Sequence, residues 1–196
     1  MSDYEFTKDW FAWAPEVWKQ LIPHLPGRKS FLEVGSFEGR STVWIVENMM
    51  EGDGNITCID TWEGGEEHGA EDMGTVEERF MRNMHVLQTK KACGLSVRKG
   101  KSVDELAGCI AAEETYDFIY IDGSHIAKDV LTDACMAWTL LKPKGIMVFD
   151  DYMWGNPRDI LHRPKPAIDA FCNIFAEEAE IVHVGYQLVV RKKGEG

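Results

Sequence analysis

The stretch FLEVGSFEGRS, residues 31–41, runs from an apolar segment into a turn with two glycines, and STVWIVENMM carries on with helical character. A strand, a glycine turn and a helix in that order set backbone N–H groups and a helix N-terminus against a nucleotide-like ligand. The turn decides which ligand. A dinucleotide loop reads G-x-G-x-x-G, and its second glycine lets backbone approach a pyrophosphate. Here only Gly35 and Gly39 are present, and Glu33 and Glu38 bracket the turn. Carboxylates at that place oppose a phosphate and favour an ammonium group. The turn is therefore expected to serve a cofactor without phosphate.

Working outward, strand and helix signals alternate along nearly the whole chain, which predicts an α/β sheet with helices on both faces. Upstream, Trp10, Trp13, Val17 and Leu21 follow helical spacing, with Pro15 acceptable at a helix start. This aromatic segment is expected to cover the sheet edge, a lid being the alternative. Downstream the pattern predicts strands at 31–34, 56–59, 95–98, 116–122 and 145–151, and helices at 41–50, 75–88 and 103–111. Val130, Leu131, Ala134, Cys135, Trp138 and Leu141 form one helical stripe, stopped by Lys142-Pro143-Lys144-Gly145. Ile168, Phe171, Cys172 and Phe175 mark a last helix. GGEEHGAEDMG, residues 64–74, is acidic, glycine-rich and without period, and is expected to be a mobile loop. The end, IVHVGYQLVVRKK, reads as two strands around Gly185 and so as an antiparallel hairpin.

A chain of 196 residues suits one domain, with a Trp-rich helical segment at 1–28 ahead of a cofactor-binding core at 29–196. With 21 basic and 33 acidic side chains the net charge is −12, a field that repels nucleic-acid backbones and suits a cationic ligand. No stretch approaches a membrane span, and MSDYEFTKDW has no basic region followed by an apolar run, so no signal peptide is read. Five scattered cysteines without a CxxC pair are expected to be reduced, packed thiols, consistent with a cytoplasmic protein.

Asp60 closes the second strand, where an acid commonly hydrogen-bonds ribose hydroxyls, and Lys101-Ser102 follows the third. Taken with the turn, the segment YDFIYIDGSH and the reversed hairpin, these features resemble the class I S-adenosylmethionine-dependent methyltransferases from Phe31 to Lys192. The resemblance implies a Rossmann-like seven-stranded sheet in the order 3-2-1-4-5-7-6 with strand 7 antiparallel. It also implies that Glu33, Gly35, Ser36 and Gly39 line the methionine end of S-adenosylmethionine. Asp60 would hold the ribose, with Thr61 beside it at the cofactor, and Ser102 would meet the adenine; Trp62 either stacks near the adenosine or is a packed loop anchor. Many members carry a further glycine where this chain has Phe37, which makes the turn bulkier.

Asp122 ends the fourth strand, and Asp150 and Asp151 end the fifth. Neighbouring parallel strands would bring all three to the edge that holds the cofactor, where they resist joint ionisation unless a cation sits among them. Oxygen ligands of this kind suit Mg²⁺, with Mn²⁺ or Ca²⁺ as alternatives. The pattern is similar to metal-dependent O-methyltransferases such as those acting on catechols and macrolide sugars. The other account has strand-end aspartates capping the loops that follow. His125 is either a general base for the acceptor hydroxyl or a loop-bonding residue. His68, in the acidic loop, would reach the site only on closure. The segment YMWGNPRDILHRPKP gathers Tyr152, Trp154, Arg158, His162 and Arg163, a basic and aromatic patch that either receives an acidic acceptor or has its charges solvated or paired with the acidic surface.

The expected function is methyl transfer to a hydroxyl of a small molecule or sugar, with Asp122 and His125 catalytic and Asp122 shared with the cofactor. Three readings stay open beside it: a nicotinamide-type oxidoreductase with an altered loop, a hydroxylase-like relative, and a non-catalytic cofactor-binding subunit. The Trp-rich N-terminus leaves room for a homo-oligomer.

Overall fold

The computed structural model describes residues 3–65 and 72–194. Its strands are β1 (Ser30–Val34), β2 (Asn55–Asp60), β3 (Gly94–Lys99), β4 (Tyr116–Ile121), β5 (Leu141–Phe149), β6 (Ala179–Val184) and β7 (Leu188–Lys192). They form one sheet in the order β3-β2-β1-β4-β5-β7-β6, and β7 runs antiparallel to both β5 and β6. This is the order the resemblance implied. β4 is buried at every position, as a parallel strand covered on both faces must be. Alternate residues supply two cores. Phe118 and Tyr120 meet Trp18, Ile45 and Phe80 on one face, while Ile119 and Ile121 meet Val130, Trp138 and Phe171 on the other.

The first face is covered by α1 (Ala14–Leu21), α2 (Arg40–Trp44) and α3 (Met73–Lys90). The second lies under α4 (Ser102–Ala111), α5 (Ala127–Leu140) and α6 (Lys165–Ile174). α1 starts later than its aromatic spacing predicted. Pro15 lies in its first turn, so Trp10 and Trp13 precede the helix instead of riding on it. Trp18 is wholly buried, with ring centroids 5.2 Å from Phe118 and 4.8 Å from Tyr120, so α1 covers the sheet.

Two further boundaries differ from expectation. The helix predicted at 41–50 is α2 followed by a wider π turn over Ile45–Met49, and the Lys91 ammonium donates to the carbonyls of Val46 and Met50 at its two ends. Lys142 to Gly145 do not form a loop. β5 begins directly after α5, with Leu141 opposite Tyr116 and Ile146 opposite Phe118, so the four residues bulge out of the ladder. Pro143 has no N–H for the ladder and Lys144 is left-handed at φ +65°, which accounts for the bulge. All five thiols are free. Residues 66–71, and with them His68 and most of the expected mobile loop, lie outside the described residues. Among the described residues no helix is long and apolar enough to cross a membrane.

Candidate active site

The carboxyl ends of the central strands are tied in a row. Gly35 N–H donates to Ile59 O (2.8 Å), Asp122 N–H to Val34 O (2.8 Å) and Asp150 N–H to Ile121 O (2.9 Å). Gly35 has φ +87°, and a Cβ on it would lie 1.9 Å from the Asp122 carbonyl oxygen, so only glycine lets the turn come this close to the end of β4. Asp60 holds the turn from the other side. Its Oδ2 accepts from the N–H groups of Ser36 (2.8 Å) and Phe37 (2.9 Å), and its Oδ1 from Trp62 N–H (2.7 Å). Three of its roughly four acceptor positions are thus filled by backbone.

The acids beside the turn do not face a ligand, contrary to expectation. Glu33 is wholly buried, accepting from the hydroxyls of Ser41 (2.5 Å) and Thr42 in α2, and burial raises its pKa. Glu38 accepts from Thr7 N–H (2.6 Å), Thr7 Oγ1 (2.7 Å) and Arg79 Nε (2.6 Å). Both side chains answer donors inside the protein, so the expected grip of Glu33 on an ammonium group is withdrawn. Of the two roles open to Trp62, the structure shows the packed anchor. It is buried, its Nε1 donates to Phe37 O (2.9 Å), and its ring packs 4.9 Å from Phe80. Thr61 Oγ1 accepts from Glu63 N–H, and Gly39 is the left-handed residue ahead of α2. Ser102 opens α4 beside the buried Asp133, whose pKa burial raises to about 6 while the Ser102 hydroxyl lowers it.

At the ends of β4 and β5 the acids converge as expected. The Tyr120 hydroxyl lies 2.8 Å from Asp122 Oδ2 and also bonds Asp150 Oδ2, so two carboxylates share one phenolic proton. Gln187 Nε2 donates to the same Asp150 oxygen (2.9 Å), and Asp151 N–H donates to Asp150 Oδ1 (2.7 Å). Asp151 stands left-handed at φ +54°, its carboxylate between the Tyr186 hydroxyl (2.9 Å) and His125 Nε2 (2.7 Å). Burial first, and then the neighbouring carboxylates, pushes Asp122 well above the usual carboxylate range and Asp150 in the same direction. Asp122, His125 and Asp151 each offer one ligand atom, and these atoms all lie within 4.8 Å of one another.

The loop after β5 divides. Trp154 packs its ring 4.2 Å from that of His125, beside the acids. Tyr152 faces elsewhere: it is buried, donates to Asp169 Oδ1 (2.7 Å) and accepts from Lys165, so it belongs to the α6 side and not to an acceptor pocket. Arg158 and His162 are exposed, His162 pairing with Asp159 at 3.0 Å, and Arg163 is half-buried.

Four residues at the acids went unread in the sequence. Tyr120 had a signal, because residues two apart on a strand share a face and Asp122 follows it by two. Gln187, Tyr186 and Trp18 had none, since chain closure alone brings them there. Trp13 joins them through a ring contact of 5.0 Å with Tyr186.

A doubly covered sheet with a reversed terminal hairpin, and a glycine turn beside an acidic centre, defines a group-transfer enzyme of the methyltransferase class. A family model described as a methyltransferase domain matches residues 32–152, more than half of the chain, and the protein belongs to that family. No curated protein matches the sequence. Among solved structures, the O-methyltransferase from Bacillus cereus in complex with SAH superposes with a TM-score of 0.65 at 19% identity, covering 96% of this chain and 84% of that one. The O-methyltransferase TomG from Streptomyces achromogenes, in complex with SAM, gives 0.66 at 17% identity, covering 90% and 77%. MycE of the mycinamycin biosynthetic pathway, in complex with Mg, SAH and mycinamycin VI, gives 0.59 at 16% identity and covers 97% of this chain and 50% of its own. At these identities the likeness is one of fold.

Proposed function

We propose that the protein transfers the methyl group of S-adenosylmethionine to a hydroxyl of a small-molecule acceptor, assisted by a divalent cation such as Mg²⁺. The observation that carries this reading is the meeting of Asp122 and Asp150 on one phenol, with Asp151 bonded to Asp150 beside them, a strand away from the glycine turn. The donor set fits a hard cation: oxygen ligands from three carboxylates, with more negative charge than their neighbours neutralise. Asp122, Asp150 and Asp151 would hold it. Asp150 contributes least directly, because both its oxygens already accept from protein donors. S-adenosylmethionine, when bound, supplies an electrophilic methyl group, and a divalent cation supplies Lewis acidity towards the acceptor oxygen.

The chain's own residues do the rest. The turn at Gly35 and Gly39, braced by Asp60, would seat the methionine end of the cofactor, and Ser102, at the start of α4, would meet the adenine. His125, aligned by Asp151 through Nε2, takes the acceptor's proton at Nδ1. Trp154 packs on the imidazole and limits its rotation. Arg158, His162 and Arg163 would receive an acidic group on the acceptor. The Bacillus and Streptomyces structures, in complex with SAH and SAM, and MycE with Mg, support the choice of partners.

Calorimetry with S-adenosylhomocysteine, with and without Mg²⁺, tests both parts. Heat in both, greater with Mg²⁺, is expected; no heat in either would sink the cofactor assignment, and equal heat would remove the cation.

A further inference from the structure

We infer that Gln187 and Trp18 are positioning residues for the acid pair, so that the β6–β7 turn and the N-terminal helix brace the proposed cation site; this rests on the reading just given. Two consecutive residues of the turn hold two consecutive acids. Tyr186 OH donates to Asp151 Oδ1 (2.9 Å) and Gln187 Nε2 donates to Asp150 Oδ2 (2.9 Å). The turn is closed by Gly185 N–H on Gln187 O (2.9 Å). Behind it, Trp18 Nε1 donates to Gln187 Oε1 at 2.8 Å, and both side chains are wholly buried.

The direction of this chain of bonds follows from the groups. An indole N–H can only donate, so the Gln187 oxygen faces Trp18 and its amide N–H faces Asp150. Asp150 is thereby held at Oδ2 by Gln187 and Tyr120, which leaves Oδ1 to accept the N–H of Asp151. That bond helps keep Asp151 left-handed, with its carboxylate between Tyr186 and His125. A glutamine that only filled core would be a poor choice, since a leucine of similar size needs no buried partners. Groups that hold metal ligands from behind change affinity without touching the ion.

Mn²⁺ binding, followed by electron paramagnetic resonance on the full chain, tests the brace. Gln187→Leu is expected to weaken Mn²⁺ binding about tenfold. Trp18→Phe, which keeps a ring in the core and removes the N–H, should weaken it less. The double variant should be no worse than Gln187→Leu, because Trp18 acts through Gln187. Metal-free binding of S-adenosylhomocysteine should stay within about twofold, because neither residue bonds the glycine turn. A folded Gln187→Leu or Trp18→Phe protein with wild-type Mn²⁺ affinity, or losses that simply add, would overturn the brace. If Gln187→Leu does not fold, Trp18→Phe alone decides. A wild-type protein that binds no Mn²⁺ would overturn the cation reading and the brace together.

Discussion

The two halves of the site use carboxylates in opposite ways. Around the glycine turn, Glu33, Glu38 and Asp60 are each answered by their own donors: two hydroxyls, a guanidinium with a threonine, and three backbone N–H groups. One strand further on, Asp122 and Asp150 compete for a single phenol, and Asp151 leans on a histidine and a tyrosine. None of these donors carries a fixed positive charge. Acids matched by donors shape the backbone, whereas acids crowded together without a counter-charge are available for chemistry. Sequence shows both groups only as acids at or near strand ends. The partners tell them apart.

The largest effect should come from the point where the halves touch. Gly35→Ala forces a Cβ onto the Asp122 carbonyl at a left-handed φ, and should cost on the order of 4 kcal/mol in chemical denaturation. Next comes a matched pair of neutral substitutions. Glu38→Gln strands the guanidinium of Arg79, which is only 14% exposed, and should cost about 3 kcal/mol. Asp122→Asn should do the reverse, raising stability by about 1 kcal/mol as repulsion is relieved, while methyl transfer falls about a hundredfold. Two losses of similar size would erase the distinction between the halves.

Asp133 sharpens the comparison from outside both groups. Its folded pKa of about 6 lies above the unfolded value of about 3.9. Between those values the native state holds a proton that the unfolded chain has released. Stability therefore falls as pH rises through that window, and the full penalty is present above it. Asp133→Asn should remove that part of the slope and add on the order of 2 kcal/mol at neutral pH. Denaturation curves at pH 4.5, 5.5 and 7 measure the difference from wild type. An unchanged slope would mean that Ser102 already compensates the buried charge.

Much of the fold was legible because its signals are local. Apolar runs gave the strands, helical stripes the covering layers, and the hairpin around Gly185 the reversed final strand, while the order of strands came through the resemblance. The convergence of Asp122, Asp150 and Asp151 followed from parallel strands ending at one edge. What stayed hidden depends on facing. Nothing in FLEVGSFEGRS says that Glu33 turns inward to Ser41 and Thr42, and nothing in YMW says that Tyr152 is buried while Trp154 reaches His125. Trp10 and Trp13 kept helical spacing although Pro15 starts the helix after them. The bond from Trp18 to Gln187 joins distant parts of the chain, and no periodicity carries such a pairing.

The smallest expected effect concerns Phe37, at the position where a glycine would be ordinary. At φ +48° a non-glycine residue bears about 1 kcal/mol of strain. Its ring lies 5.1 Å from that of Trp10, a contact worth about 1 kcal/mol. Phe37→Gly relieves the strain, loses the stack and adds chain entropy to the unfolded state, so the net change should stay within about 1 kcal/mol. The informative quantity is the coupling. If the stack ties the N-terminal segment to the turn, Trp10→Ala should cost about 1 kcal/mol less in the Phe37→Gly background than alone. Equal costs in both backgrounds would show that the segment is held at the acidic half, through Trp13 and Trp18, and at Thr7, with no contribution from the rings over the turn.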